Sequence, residues 1–128
     1  MSHLRTPLSR VRLWGSAREG ADRFITQRLT AIALVPLLLW FVASIIFFIV
    51  RADHAALVAW IQLHWNTELL IALILLLFYH AHAGLQEILE DYVHNEILKA
   101  ITMVSMKFFV IAITITSVLA ILRIALGA

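Results

Sequence analysis

The sequence predicts an all-α integral membrane protein, with three transmembrane helices in an up-down-up bundle behind a polar N-terminal arm. Three observations predict it. Apolar residues fill 62% of the 128 positions and charged ones only 14%, against roughly a quarter charged in an ordinary soluble domain. Mean hydropathy is +0.94. The apolar residues also fall in three long runs, each able at ~1.5 Å per residue to cross a hydrocarbon core of roughly 30 Å. The whole chain, 1–128, therefore reads as one integral-membrane domain. It contains no cysteine, which excludes disulfides, thiolate metal sites and iron–sulfur clusters held by this chain. Redox chemistry here needs a borrowed or histidine-bound cofactor.

Residues 1–28 form the arm. They hold six Arg against Glu19 and Asp22, a balance of +4, whereas residues 87–99 hold Glu87, Glu90, Asp91 and Glu96 against Lys99, a balance of −3. The arm lacks a sustained apolar period and reads as polar, with a short interfacial helix near residues 21–27. It has no short apolar core followed by a small-residue cleavage pattern, so orientation is its expected job rather than targeting. A solvated or headgroup-binding role fits it better than a nucleic-acid one.

The predicted transmembrane helices cover about 29–50, 67–88 and 99–126. From Leu29 to Val50 no side chain is ionisable, and Pro36 within that run removes one backbone donor and is expected to bend the helix. Residues 51–68 mix Arg51, Asp53 and Glu68 with Trp60 and Trp65, the composition of a loop or half-helix lying at an interface. His54 and His64 read as ordinary interfacial residues. Asn66 or Thr67 is the expected N-cap of the second span, with Glu68 in its first turn. The third span carries Lys107 and Arg123, expected to snorkel towards opposite interfaces, since either charge at the bilayer centre costs roughly 2.5 to 3.5 kcal/mol. The arginine-rich arm places the N-terminus in the cytoplasm, or in the matrix if the membrane is mitochondrial, and the C-terminus outward.

Chemistry concentrates between His80 and His94, in H-A-H-A-G-L-Q-E-I-L-E-D-Y-V-H. An imidazole inside a membrane helix is costly without a partner, which makes His80 a functional candidate. It reads either as a histidine bonded to a neighbouring helix or as an axial ligand to haem iron, because neutral imidazole supplies a nitrogen donor without burying charge. Gly84, one turn on, removes side-chain bulk from the same face and lets a flat macrocycle or another helix approach. His82 lies ~200° around the helix from His80, so the two cannot ligate one iron from a regular helix; packing or local hydrogen bonding is its expected role. No second intramembrane histidine stands on another helix, so bis-histidine ligation requires another polypeptide. At the mouth of the same helix, Asp91 and Tyr92 read either as interface anchors or as a carboxylate and a phenol able to bind a quinone carbonyl and relay protons.

These residues carry a resemblance. The segment H-A-x-x-G-L-Q-x-I-L-x-D-Y-V, His80 to Val93, resembles the hydrophobic membrane anchor family of succinate dehydrogenase, the D subunit of respiratory complex II. Gly15, Ser16, Ala17 and Gly20, then Arg28, Thr30, Ala31, Ile32 and Ala33, are similar to that family's G-S-A-x-x-G and R-x-T-A-I-A patterns. The resemblance implies that His80 is an axial ligand of haem b, paired with a histidine of the cytochrome b556 subunit. It implies that Tyr92 hydrogen-bonds the ubiquinone head group with Asp91 beside it, and that Arg28 lies near the haem propionates. FAD and iron–sulfur clusters would then reside only on the flavoprotein and iron–sulfur partner subunits, docked to a bacterial inner membrane or to a mitochondrial one. The implied partners are those three subunits and membrane lipid, with no nucleic acid. Two other readings compete: a small proton-relay transporter subunit using His80 and Asp91, and a cofactor-free structural tether.

Overall fold

The structure is a computed structural model, which describes the backbone of residues 7–127 and the side chains of residues 20–127. Helix α1 runs from Pro7 to Phe47 as one element of 41 residues. The arm from Pro7 onward is thus helical and continuous with the first span, where the sequence predicts only a short helix near 21–27. Proline suits a first helical position, having no amide to orphan. Gly15 and Gly20 cost about 1 kcal/mol each, but helix propagation is cheap once an apolar half has nucleated it. The helix also runs through Pro36 without interruption.

A tight 3₁₀ turn, Ile49–Arg51, leads to α2, His54–Gln62. Asp53 caps α2 by accepting from the Ala56 amide at 2.8 Å. Trp60 of α2 stacks on Trp40 of α1 at 5.7 Å between centroids and on Phe48 at 6.2 Å. This aromatic cluster fixes the expected half-helix against the end of the first span, where amphipathic rings belong.

Helix α3, His64–Tyr92, follows with Leu63 in the N-cap position and no side-chain cap. Asn66 and Thr67, expected to start this helix, point backwards instead. Asn66 Nδ2 donates to the Trp60 carbonyl at 2.8 Å and Thr67 Oγ1 to that of Ile61. The reason is proximity: one residue separates α2 from α3, and the last carbonyls of α2 need donors more than the first amides of α3 need a cap. A three-residue link, Val93 to Asn95, then reverses the chain into α4, Glu96–Ala125. Asn95 caps α4, accepting from the amides of Ile97 and Leu98 at 3.1 and 3.3 Å. At the far end Gly127 takes a left-handed φ of 74° and donates to the Ile124 carbonyl, closing the helix.

Three of these helices are long and apolar enough to cross a membrane. The spans alternate in direction, α3 in the middle with α1 on one side and α4 on the other. Gln62 of α2 ties the opposite end together by donating to the Ile124 carbonyl at 3.1 Å. The shared interior is thin: among the described residues only Leu34, Leu70 and Leu73 are buried apolar side chains. Large apolar residues such as Phe47 and Phe108 stand 79% and 71% exposed. Such surface is stable only against lipid or other helices, so the chain completes its core with its surroundings.

Candidate functional site

The α1–α3 seam is graded from apolar to ionic. It begins among the buried leucines Leu34, Leu70 and Leu73. Next comes Thr30 of α1, whose Oγ1 lies 3.0 Å from Nδ1 of His80 on α3. One turn on, Gly84 faces Gln27, whose Nε2 would stand 3.7 Å from a Cβ on the glycine. At the polar end the Arg23 guanidinium lies 3.5 Å from the Glu90 carboxylate. The α1 numbers fall as the α3 numbers rise, the register of antiparallel neighbours. The basic arm and the acidic end of α3 thus meet, although this pair is too exposed to contribute more than about 1 kcal/mol.

His80 therefore lies on the helix-facing side of α3, half-buried, with one ring nitrogen held by its neighbour. Thr30 is 7% exposed, the most buried polar side chain among the described residues. Its hydroxyl also lies 2.9 Å from the carbonyl oxygens of both Thr26 and Gln27. Pattern reading recorded Thr30 only as part of a motif. The signal was a hydroxyl at the start of an apolar run, but its partner depends on the register between two helices.

Gly84 faces another helix, one of the two approaches expected of it, but at an ordinary contact distance that an alanine would also allow. The neighbour is Gln27, a residue that sequence reasoning did not single out. Its Oε1 is buried without a hydrogen-bond partner among the described residues.

His82 points elsewhere, as its ~200° offset requires. Its Nε2 is buried and meets no hydrogen-bond partner among the described residues, which leaves packing as the expected role this nitrogen can serve there. It lines two adjoining grooves together with Tyr79 and Lys107. One, of about 480 Å³, runs between α3 and α4 past Leu75 and Ile111. The other, of about 420 Å³, is polar and reaches Asp22 and Glu87. Lys107 is exposed and lines both grooves.

Asp91 and Tyr92 end α3, both exposed, Tyr92 by 78%. Neither lines the two grooves around His82. The phenol and carboxylate stand on an open surface, where they can contribute to a site only with atoms from another molecule. Arg28 is also exposed, its guanidinium 4.9 Å from the Phe24 ring centroid. Two residues from Thr30, it projects on the face ~200° away from the α3 contact.

His80, Thr30, Gln27 and Gly84 are brought together; Asp91, Tyr92 and Arg28 are not joined to them by any hydrogen bond among the described residues. No group of three or more metal-ligating side chains is found among the described residues.

Comparison with known proteins agrees with this architecture. A family model described as succinate dehydrogenase/fumarate reductase transmembrane subunit matches residues 2–121. A protein of Rickettsia bellii named succinate dehydrogenase hydrophobic membrane anchor subunit is 26% identical over 120 residues, spanning 91% of this chain and 93% of its own length. No solved structure matches significantly.

Proposed function

The chain belongs to the succinate dehydrogenase/fumarate reductase transmembrane subunit family, and from that premise we propose that it is the hydrophobic membrane anchor of a succinate:ubiquinone oxidoreductase. It docks the flavoprotein and iron–sulfur subunits to the membrane. It supplies one axial ligand of haem b through His80 and part of the ubiquinone-reducing site through Tyr92 and Asp91. The other haem ligand comes from the cytochrome b556 subunit.

One observation carries the haem assignment: His80 Nδ1 is engaged by Thr30 at 3.0 Å, which orients the ring and leaves Nε2 as the nitrogen for iron. A metal-bound histidine characteristically gives its other nitrogen to such a partner. His82 fits the role less well, because its Nε2 is buried inside this chain and a shared group needs a nitrogen that another subunit can approach. When bound, haem b supplies a one-electron redox centre within the membrane. Arg28, an exposed cation on the neighbouring helix, offsets the propionate charges at the membrane edge.

Tyr92 donates a hydrogen bond to a quinone carbonyl, and the Asp91 carboxylate orients water or relays protons beside it. Their exposure supports a half-site completed by partner subunits: lipid delivers quinone on one side and the aqueous phase delivers protons on the other. With the arginine-rich arm inside, this end of α3 faces the cytoplasm of a bacterial inner membrane.

The test is an absorption spectrum of the detergent-purified complex, with its co-purifying subunits identified by mass. A low-spin bis-histidine haem spectrum and flavoprotein, iron–sulfur and cytochrome partners are expected. A homo-oligomer without a Soret band would overturn the assignment in favour of a relay or tether.

A further inference from the structure

We infer that Thr30 is a positioning residue that fixes the proton of His80 on Nδ1 and so presents the Nε2 lone pair to the iron. The inference rests on the reading of His80 as a haem ligand and goes beyond it, because it assigns the direction of a hydrogen bond and a function to a second helix.

The direction follows from counting protons. Thr30 Oγ1 lies 2.9 Å from two carbonyl oxygens, those of Thr26 and Gln27, and 3.0 Å from His80 Nδ1. Carbonyl oxygens only accept, so the single hydroxyl proton must lie between Oγ1 and one or both of them. If it pointed at Nδ1 instead, the hydroxyl lone pairs would face two carbonyl lone pairs at hydrogen-bond distance with no proton between. The arrangement is consistent only when the hydroxyl donates to its own helix and Nδ1–H donates to the hydroxyl. A neutral imidazole protonated on Nδ1 has its lone pair on Nε2, the form a metal requires.

Two consequences are built into this geometry. The hydroxyl, already donating to α1 backbone, is polarised into a better acceptor. A stronger acceptor at Nδ1–H makes Nε2 more basic towards iron, which favours the oxidised state and lowers the reduction potential. Burial of Thr30 at 7% exposure keeps water from replacing it. Thr30 of α1 and His80 of α3 thus act as one unit.

The experiment compares Thr30→Val, which keeps shape but removes the oxygen, with Thr30→Ser, which keeps the oxygen, in the complete complex co-expressed with its partners. Haem content, low-spin electron paramagnetic resonance g values and midpoint potential are read. Thr30→Val is expected to weaken haem retention by roughly 10- to 100-fold, to alter the g values and to raise the potential; Thr30→Ser is expected to restore all three. Thr30→Ala gives the same readings if the valine complex fails to assemble. Loss of the bis-histidine signal in His80→Ala with unchanged g values and potential in the Thr30 variants overturns this inference alone. Retention of that signal in His80→Ala, with its loss in His82→Ala, overturns the ligand assignment and the inference together.

Discussion

Gly84 of α3 faces Gln27 of α1 so that a Cβ added to the glycine would stand 3.7 Å from Gln27 Nε2, an ordinary contact distance. The space beside the glycine therefore accommodates a methyl group without displacing α1. Gly84→Ala should keep the seam and gain about 0.5 to 1 kcal/mol of helix propensity. Its melting temperature in detergent should hold or rise, with the haem spectrum intact, whereas Gly84→Leu should separate α1 from α3 and lower haem content. Loss of haem in the alanine variant would restore the role first expected of this glycine, direct approach of the macrocycle.

Tyr92 is 78% exposed at the last position of α3, so removing its hydroxyl should leave the fold untouched. Tyr92→Phe deletes one hydrogen bond, about 0.5 to 1.5 kcal/mol, and should slow quinone reduction by roughly two- to twelve-fold. Succinate oxidation by an artificial acceptor should be normal, because that route bypasses the quinone pocket. A wild-type quinone rate in the same preparation would remove Tyr92 from the site.

What was legible in the sequence depended on the range of the forces involved. Membrane crossing is a property of uninterrupted apolar length, so the three spans were readable from runs alone, and His80 was conspicuous because water cannot solvate it there. The helical arm was misread because a 3.6-residue apolar period is absent from it; the helix continues there from the span that nucleates it rather than from its own burial. Thr30, Gln27 and the backward bonds of Asn66 and Thr67 were not legible for a different reason. Their partners lie 50, 57, 6 and 6 residues away, in neighbouring elements whose register no local pattern encodes.

Asn66 and Thr67 supply the donors that the final turn of α2 lacks, to the carbonyls of Trp60 and Ile61. Asn66→Ala and Thr67→Val should each cost about 1 kcal/mol and loosen α2 from the foot of α3. Faster limited proteolysis near residue 63 reports this loosening. The haem potential should be unchanged, because His80 lies more than three helical turns away. A shifted potential would mean that the α2–α3 junction sets the tilt of α3 in the membrane.

Arg28 tests whether charge beyond the ligand shapes the redox centre. Its guanidinium lies over the Phe24 ring at 4.9 Å, an exposed contact worth about 0.5 to 1 kcal/mol, too little for its loss to unfold α1. Among the described residues it joins no ion pair; the pair formed at this end belongs to Arg23 and Glu90. Its charge is thus available to an anion from another molecule. Arg28→Ala should destabilise the reduced haem, whose propionates then lack a compensating cation, and so lower the midpoint potential or the occupancy. Arg28→Lys should recover most of the potential but not the bidentate geometry. An identical redox titration for wild type and Arg28→Ala would separate Arg28 from the propionates and leave it as an anchor at the headgroup level, where an arginine stacked on an aromatic ring is equally at home.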